Sequence, residues 1–130
     1  MSKIETLSWK VFIRSFSGWE IEEYDIFQHG SFSKGVEKAL KQYKKKLKEA
    51  GGEDAKKKDK EAIKEWFLSE VDRELAYYFW CKYEWECGIT EIDPVAVNDG
   101  RRYAFLKVDV YRQVMMNKDR FHEYLAGALL

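Results

Sequence analysis

Eight of the 21 aromatic residues of this 130-residue chain fall within 20 positions, as Trp66, Phe67, Tyr77, Tyr78, Phe79, Trp80, Tyr83 and Trp85. Each such side chain carries roughly 150–250 Å² of surface, which is either buried together or kept as contact surface. The stretch reads as the end of a core helix running directly into a strand, and the fold is decided there. A chain of this length makes one domain, 1–130, and buries roughly two-thirds of the surface its unfolded form exposes. Its aromatics exceed what one such core readily encloses. Several therefore reach the surface, where Tyr and Trp either cover the rim of the core or serve as contact residues.

Residues 9–16 place Trp9, Val11 and Ile13 on one face and Lys10 and Arg14 on the other, with Phe12 joining the polar side. That is a strand. Ser17-Gly18 supplies a turn, and 19–27 forms a second strand with Trp19 and Ile21 opposite Glu20 and Glu22. The alternation breaks at Glu22-Glu23, where a β-bulge would restore it. Ser31 or Ser33 then caps a helix whose apolar positions Val36, Ala39, Leu40, Tyr43 and Leu47 keep helical spacing up to Gly51-Gly52. Residues 51–60 are charged and almost without apolar side chains, and read as a mobile surface loop. A second helix over 61–79 buries Ile63, Trp66, Phe67, Val71, Leu75 and Tyr78, leaving Lys64, Glu70, Asp72 and Arg73 outside. Strands at 83–90 and 103–108 follow, separated by Pro94 and an Asn98-Asp99-Gly100 turn. Asp109 caps a last helix over 110–125, with Val114, Met115, Phe121, Tyr124 and Leu125 facing inward. The order β-β-α-α-β-β-α predicts an α+β fold, a single mainly antiparallel sheet with helices packed on one face.

Lys and Arg number 23, as do Asp and Glu, which removes the simplest argument for a nucleic-acid binder and predicts no specific nucleic-acid partner. The balance is uneven, because residues 34–64 hold twelve lysines against six acids. Cys81 and Cys87 lie too far apart along one strand to bridge and read as reduced core residues. The segment MSKIETLSWK lacks the apolar stretch of a secretory signal, and no run approaches the ~18 apolar residues of a membrane span. The expectation is a cytoplasmic protein with no membrane partner.

The strings YDIF (24–27), YYFWCKYEWE (77–86) and KVDVYRQVMMNKDRFHEYL (107–125) resemble blocks in a family of short proteins encoded by phages and mobile elements of Firmicutes. The resemblance covers nearly all of the chain apart from 48–60, which looks like an insertion. It implies a genomic context and no activity, cofactor or catalytic residue. Small accessory proteins of that kind most often bind a host or defence protein, which is an analogy of context rather than of chemistry.

Four carboxylates could share one sheet face. Glu84 and Glu86 project from the same side of their strand about 7 Å apart, and Glu20 and Glu22 repeat the arrangement. With Tyr77 and Trp80 they form the candidate partner-binding set, the acids docking a basic surface or, alternatively, simply pairing with Lys10, Arg14, Lys82 or Lys107 in solvent. A metal-dependent hydrolase or nuclease built on Glu84, Glu86 and Asp109 is a further alternative. Arg101 and Arg102, beside the Asp99-Gly100 turn, are candidate phosphate contacts of a small-molecule or nucleotide-binding module. Cys81, Cys87, His29 and His122 match a zinc site in number but lack its short ligand spacings, so neither a metal nor any other cofactor is implied. Lys44, Lys45, Lys46, Lys48, Lys56, Lys57, Lys58 and Lys60 read as a solvated segment, with non-specific phosphate contact as the alternative. The leading expectation is a counter-defence type inhibitor that acts by occupying a partner's surface. An exposed edge at 9–16 would also allow a homodimer.

Overall fold

The computed structural model describes residues 3–14, 21–28, 30–77 and 110–130. Within them the chain is α+β, a two-stranded antiparallel sheet with four helices. A 3₁₀ turn at Lys3–Thr6 leads into β1 (Lys10–Arg14) and β2 (Ile21–Asp25), and a second 3₁₀ turn, Ile26–Gln28, leads into α1 (Gly30–Glu49). A third, Gly52–Asp54, separates α1 from α2 (Lys57–Ala76). Helical residues 110–116, termed α3, precede α4 (Lys118–Leu129). The strands expected at 83–90 and 103–108, the Ser17-Gly18 turn and the Asp109 cap lie outside the described residues.

The hairpin keeps an unbroken register from Lys10 opposite Asp25 to Arg14 opposite Ile21, so the bulge expected at Glu22-Glu23 does not form. The pair Val11 and Tyr24 lies inward, Val11 buried and Tyr24 half-buried, while Phe12 and Glu23 stand outside. Phe12 keeps to the solvent side of this strict alternation. At the open end Asp25 ties the strands together. Its Oδ1 accepts from the backbone N–H groups of Trp9 at 3.1 Å and Phe27 at 3.0 Å, and its Oδ2 accepts from Ser8 Oγ at 2.6 Å. Ile26 N–H donates to the Trp9 carbonyl alongside, at 3.1 Å. The chain then turns sharply enough to bury Ile26 and Phe27.

The first helix starts at Gly30, and Ser33 lies inside its first turn, where its hydroxyl donates to the Phe27 carbonyl at 2.5 Å. The helix thus begins before both expected caps, Ser31 and Ser33, and Ser33 instead ties it to the preceding turn. Phe32, beside it, is fully buried with Val36, and Ala39 and Leu40 continue that face. The helix ends where helical spacing and Gly51-Gly52 place its end. Both glycines have positive φ, +119° and +62°, the only such residues among those described. Two consecutive left-handed positions reverse the chain in a few residues, and a side chain at either would be strained.

The segment 51–60, read as a loop, is largely 3₁₀ and α-helical in conformation. The 3₁₀ turn closes on Ala55, which is buried, and α2 begins at Lys57 rather than at Glu61. Charge alone does not prevent this. The first turn of a helix contributes little to a core, so Lys57, Lys58 and Lys60 extend α2 with their ammonium groups in water. Lys60 Nζ also donates to the Glu53 carbonyl at 2.8 Å.

Phe67, Val71 and Leu75 of α2 are fully buried at helical spacing, with Ile63 and Trp66 half-buried beside them. Tyr78 lies outside the described residues. Helices α1 and α2 pack along each other, with the Tyr43 and Phe67 rings 5.6 Å apart. The C-terminal segment bends at Asn117, between α3 and α4, where the Asn117 side chain donates back to the Gln113 carbonyl. Val110, Val114, Phe121, Leu125 and Leu129 keep one buried face across the bend. Trp9 meets this face edge-on at Phe121, with ring centroids 5.4 Å apart, and Tyr124 accepts a hydrogen bond from Ser8 N–H at 2.9 Å. One core cluster joins all these elements. Among the described residues no helix is long and apolar enough to cross a membrane.

Candidate functional site

The outer edge of β1 meets α3 through one side chain. Phe12 N–H donates to Gln113 Oε1 at 3.0 Å, and Gln113 Nε2 donates to the Phe12 carbonyl. A carboxamide offers one donor and one acceptor with the spacing of a peptide group, so Gln113 occupies the place a third strand would take at this position. The edge on which a homodimer would pair is filled there from within the chain. The Phe12 ring itself remains 60% exposed on the outer face. Met116, one helical turn after Gln113, is 78% exposed, and a shallow depression of about 300 Å³ continues from Met115 and Met116 to Arg120. The Phe12 backbone is thus held at the Gln113 amide, with exposed Met116 one turn further along α3.

Tyr77, one of the two expected partner-binding residues within the described part, lies where α2 ends. Its N–H still reaches the Arg73 and Glu74 carbonyls, and its ring is 55% exposed. Glu22 stands opposite Ile13 in the ladder, two positions from the Val11–Tyr24 pair. Glu20, Trp80, Glu84, Glu86, Arg101, Arg102 and Asp109 lie outside the described residues, as do Cys81, Cys87 and His29. The structure therefore does not bring the four carboxylates together on a described surface. Among the described residues no three His, Cys, Asp or Glu side chains converge as a metal site would require.

Asp72, expected on the outer face of its helix, instead forms a lock between helices with His122. Asp72 Oδ1 lies 2.8 Å from His122 Nε2, both side chains are only 18% exposed, and Lys118 Nζ approaches the other carboxylate oxygen at 3.7 Å. Lys118 and His122 are one turn apart on α4, so one carboxylate from α2 faces two basic groups. A histidine beside a carboxylate is half of a proton-transfer pair, but no described nucleophile reaches it. Its evident role is to fix α4 against α2.

The lysine-rich segment is helical. Lys46 Nζ sits 4.7 Å from the centre of the half-buried Trp66 ring, and a shallow cleft of about 380 Å³ opens there, lined by Gln42, Lys45, Lys46, Glu49 and Trp66. An ammonium held over an aromatic face is attracted by the ring quadrupole and shields it from water.

No protein-family model, no curated protein and no solved structure matches this chain. The reading of the site therefore rests on its own geometry. The sequence held one usable signal for it: Phe12, the single large apolar residue on the polar side of an alternating strand, is the residue the structure leaves exposed. Gln113 carried no such signal, because a glutamine on a helix surface is ordinary until a strand edge is found opposite it.

Proposed function

We propose that this chain is a small accessory protein of a phage or mobile element that binds a host or defence protein and modulates it by occupying its surface. The observation that carries this reading is the presentation of Phe12. Its ring is exposed while both polar groups of its backbone are held by Gln113. A segment whose backbone is held before binding loses little main-chain freedom when a partner covers its exposed aromatic, and such aromatics are effective contact residues. Met116 extends the apolar contact, and Lys118, Asp119 and Arg120 supply a polar rim. Tyr77 and Trp80, with Glu20, Glu22, Glu84 and Glu86, complete the proposed contact set, and the host cytoplasm is the proposed compartment.

The test compares tagged wild type with Phe12→Ser in pull-downs from host lysate. Because the ring is solvent-exposed, the substitution should change stability by no more than about 0.5 kcal/mol, checked by thermal melting. Wild type should retain a discrete partner that the variant loses. Recovery of bait alone from wild type, or equal recovery by both proteins, would count against the proposal.

A further inference from the structure

The surface opposite the apolar face of α1 is a straight row of cations. Lys34, Lys38, Lys41, Lys45 and Lys48 are all exposed and recur at intervals of four, three, four and three residues, so they share one face of the helix. Over 14 residues at 1.5 Å each the row is about 21 Å long. Seven lysines stand on α1 against two acids, Glu37 and Glu49. Glu37 reaches only Lys41, at 4.0 Å, and among the described residues no ion pair involves Lys34, Lys38, Lys45 or Lys48. Nearby, Lys56, Lys57, Lys58 and Lys64 of the turn and α2 are exposed as well. A chain of zero formal net charge thus concentrates positive charge on one helical hairpin.

Cations at regular intervals along a rigid rod, only one of the five paired with an acid, complement a polymer with regularly spaced negative charges. Towards one end of the row lies the Trp66 cleft, where the Lys46 ammonium rests on the half-buried indole. We propose that the outer face of α1, with Trp66 beside it, binds the sugar–phosphate backbone of single-stranded nucleic acid without sequence preference. The lysines follow the phosphates, and an unpaired base takes the place of the Lys46 ammonium on the indole. A charged track joined to an aromatic platform is the combination by which single strands are held. A lipid surface fits less well, because Phe32, Val36, Ala39 and Leu40 of α1 are committed to the core and the lysine row carries no apolar side chain to enter a bilayer. This surface is separate from the one around Phe12, so either proposal can fail alone.

The experiment is fluorescence anisotropy of a labelled 20-nucleotide oligothymidine titrated with the full chain between 50 and 200 mM salt. Five phosphate contacts predict a log–log salt slope of about −3.5. Replacing Lys38, Lys41 and Lys45 together by Gln should weaken binding at least tenfold at 50 mM salt and reduce the slope by about 2, with an unchanged melting temperature. Trp66→Leu should erase a preference for the single strand over a duplex of equal length. Absence of binding at 50 mM salt, wild-type affinity in the triple variant, or equal affinity for the duplex would overturn the proposal. So would equally tight binding to phosphatidylserine-containing vesicles, which would assign the row to a lipid surface.

Discussion

Helices α1 and α2 are joined by apolar side chains that recur at helical spacing, Val36 and Leu40 on one and Phe67, Val71 and Leu75 on the other, all within one cluster. The β1–β2 hairpin buries far less, with Val11 its one fully inward residue of known burial, and is held by polar groups at its margins. Asp25 closes its open end, and Gln113 closes its outer edge. The first pair is fastened by area, which tolerates local adjustment. The second is fastened by geometry, since a hydrogen bond weakens steeply as distance and angle depart from ideal. A two-stranded sheet is marginal by itself in water, so its persistence here depends on those fastenings and on packing against α4.

The contrast can be broken most forcefully in the helical pair. Phe67→Ala should cost roughly 3–5 kcal/mol, because the ring is fully buried against Tyr43 and a cavity remains, as measured by urea unfolding. A cost below about 1 kcal/mol would show that α1 and α2 are not held by this core.

Asp25→Ala should cost about 2–3 kcal/mol, since it leaves the Trp9 and Phe27 N–H groups and the Ser8 hydroxyl without their acceptor. Asp25→Asn retains one carbonyl oxygen and should recover part of that loss. If Asp25→Ala and Asp25→Asn are equally mild, the hairpin is secured by burial after all, and the two regions do not differ in kind.

The smallest effect sharpens the comparison. Gln113→Ala should lower stability by only about 1 kcal/mol, yet it opens the β1 edge at Phe12 to strand pairing. Sedimentation velocity at rising concentration should show self-association that wild type lacks. A monomeric variant would show that other parts of the chain guard that edge.

Much of the helical part was legible in the amino-acid order. The spacing of Val36, Leu40, Phe67, Val71 and Leu75 marks two buried faces, and Gly51-Gly52 marks the reversal between them, because each signal acts within a few residues of itself. The turn misled in one respect. Lys56–Lys60 lack apolar side chains, and composition does not reveal that a helix can start in solvent and become buried only at its next turns. Phe32 was likewise hidden beneath an expected cap position.

By itself the sequence determined the buried faces of α1 and α2 and the concentration of lysine on 34–64, for both follow from local order and from charge. The tertiary structure alone decided what Asp25, Asp72, Gln113 and Tyr124 do. Their partners lie 16 or 17, 46 or 50, 101 and 116 residues away, apart from the nearer Phe27 contact of Asp25. A polar side chain acquires such a role only when folding brings one particular donor or acceptor within about 3 Å, and no periodicity along the chain encodes that meeting. Folding likewise turned the lysine segment from a run of charge into a row along one face of a rod.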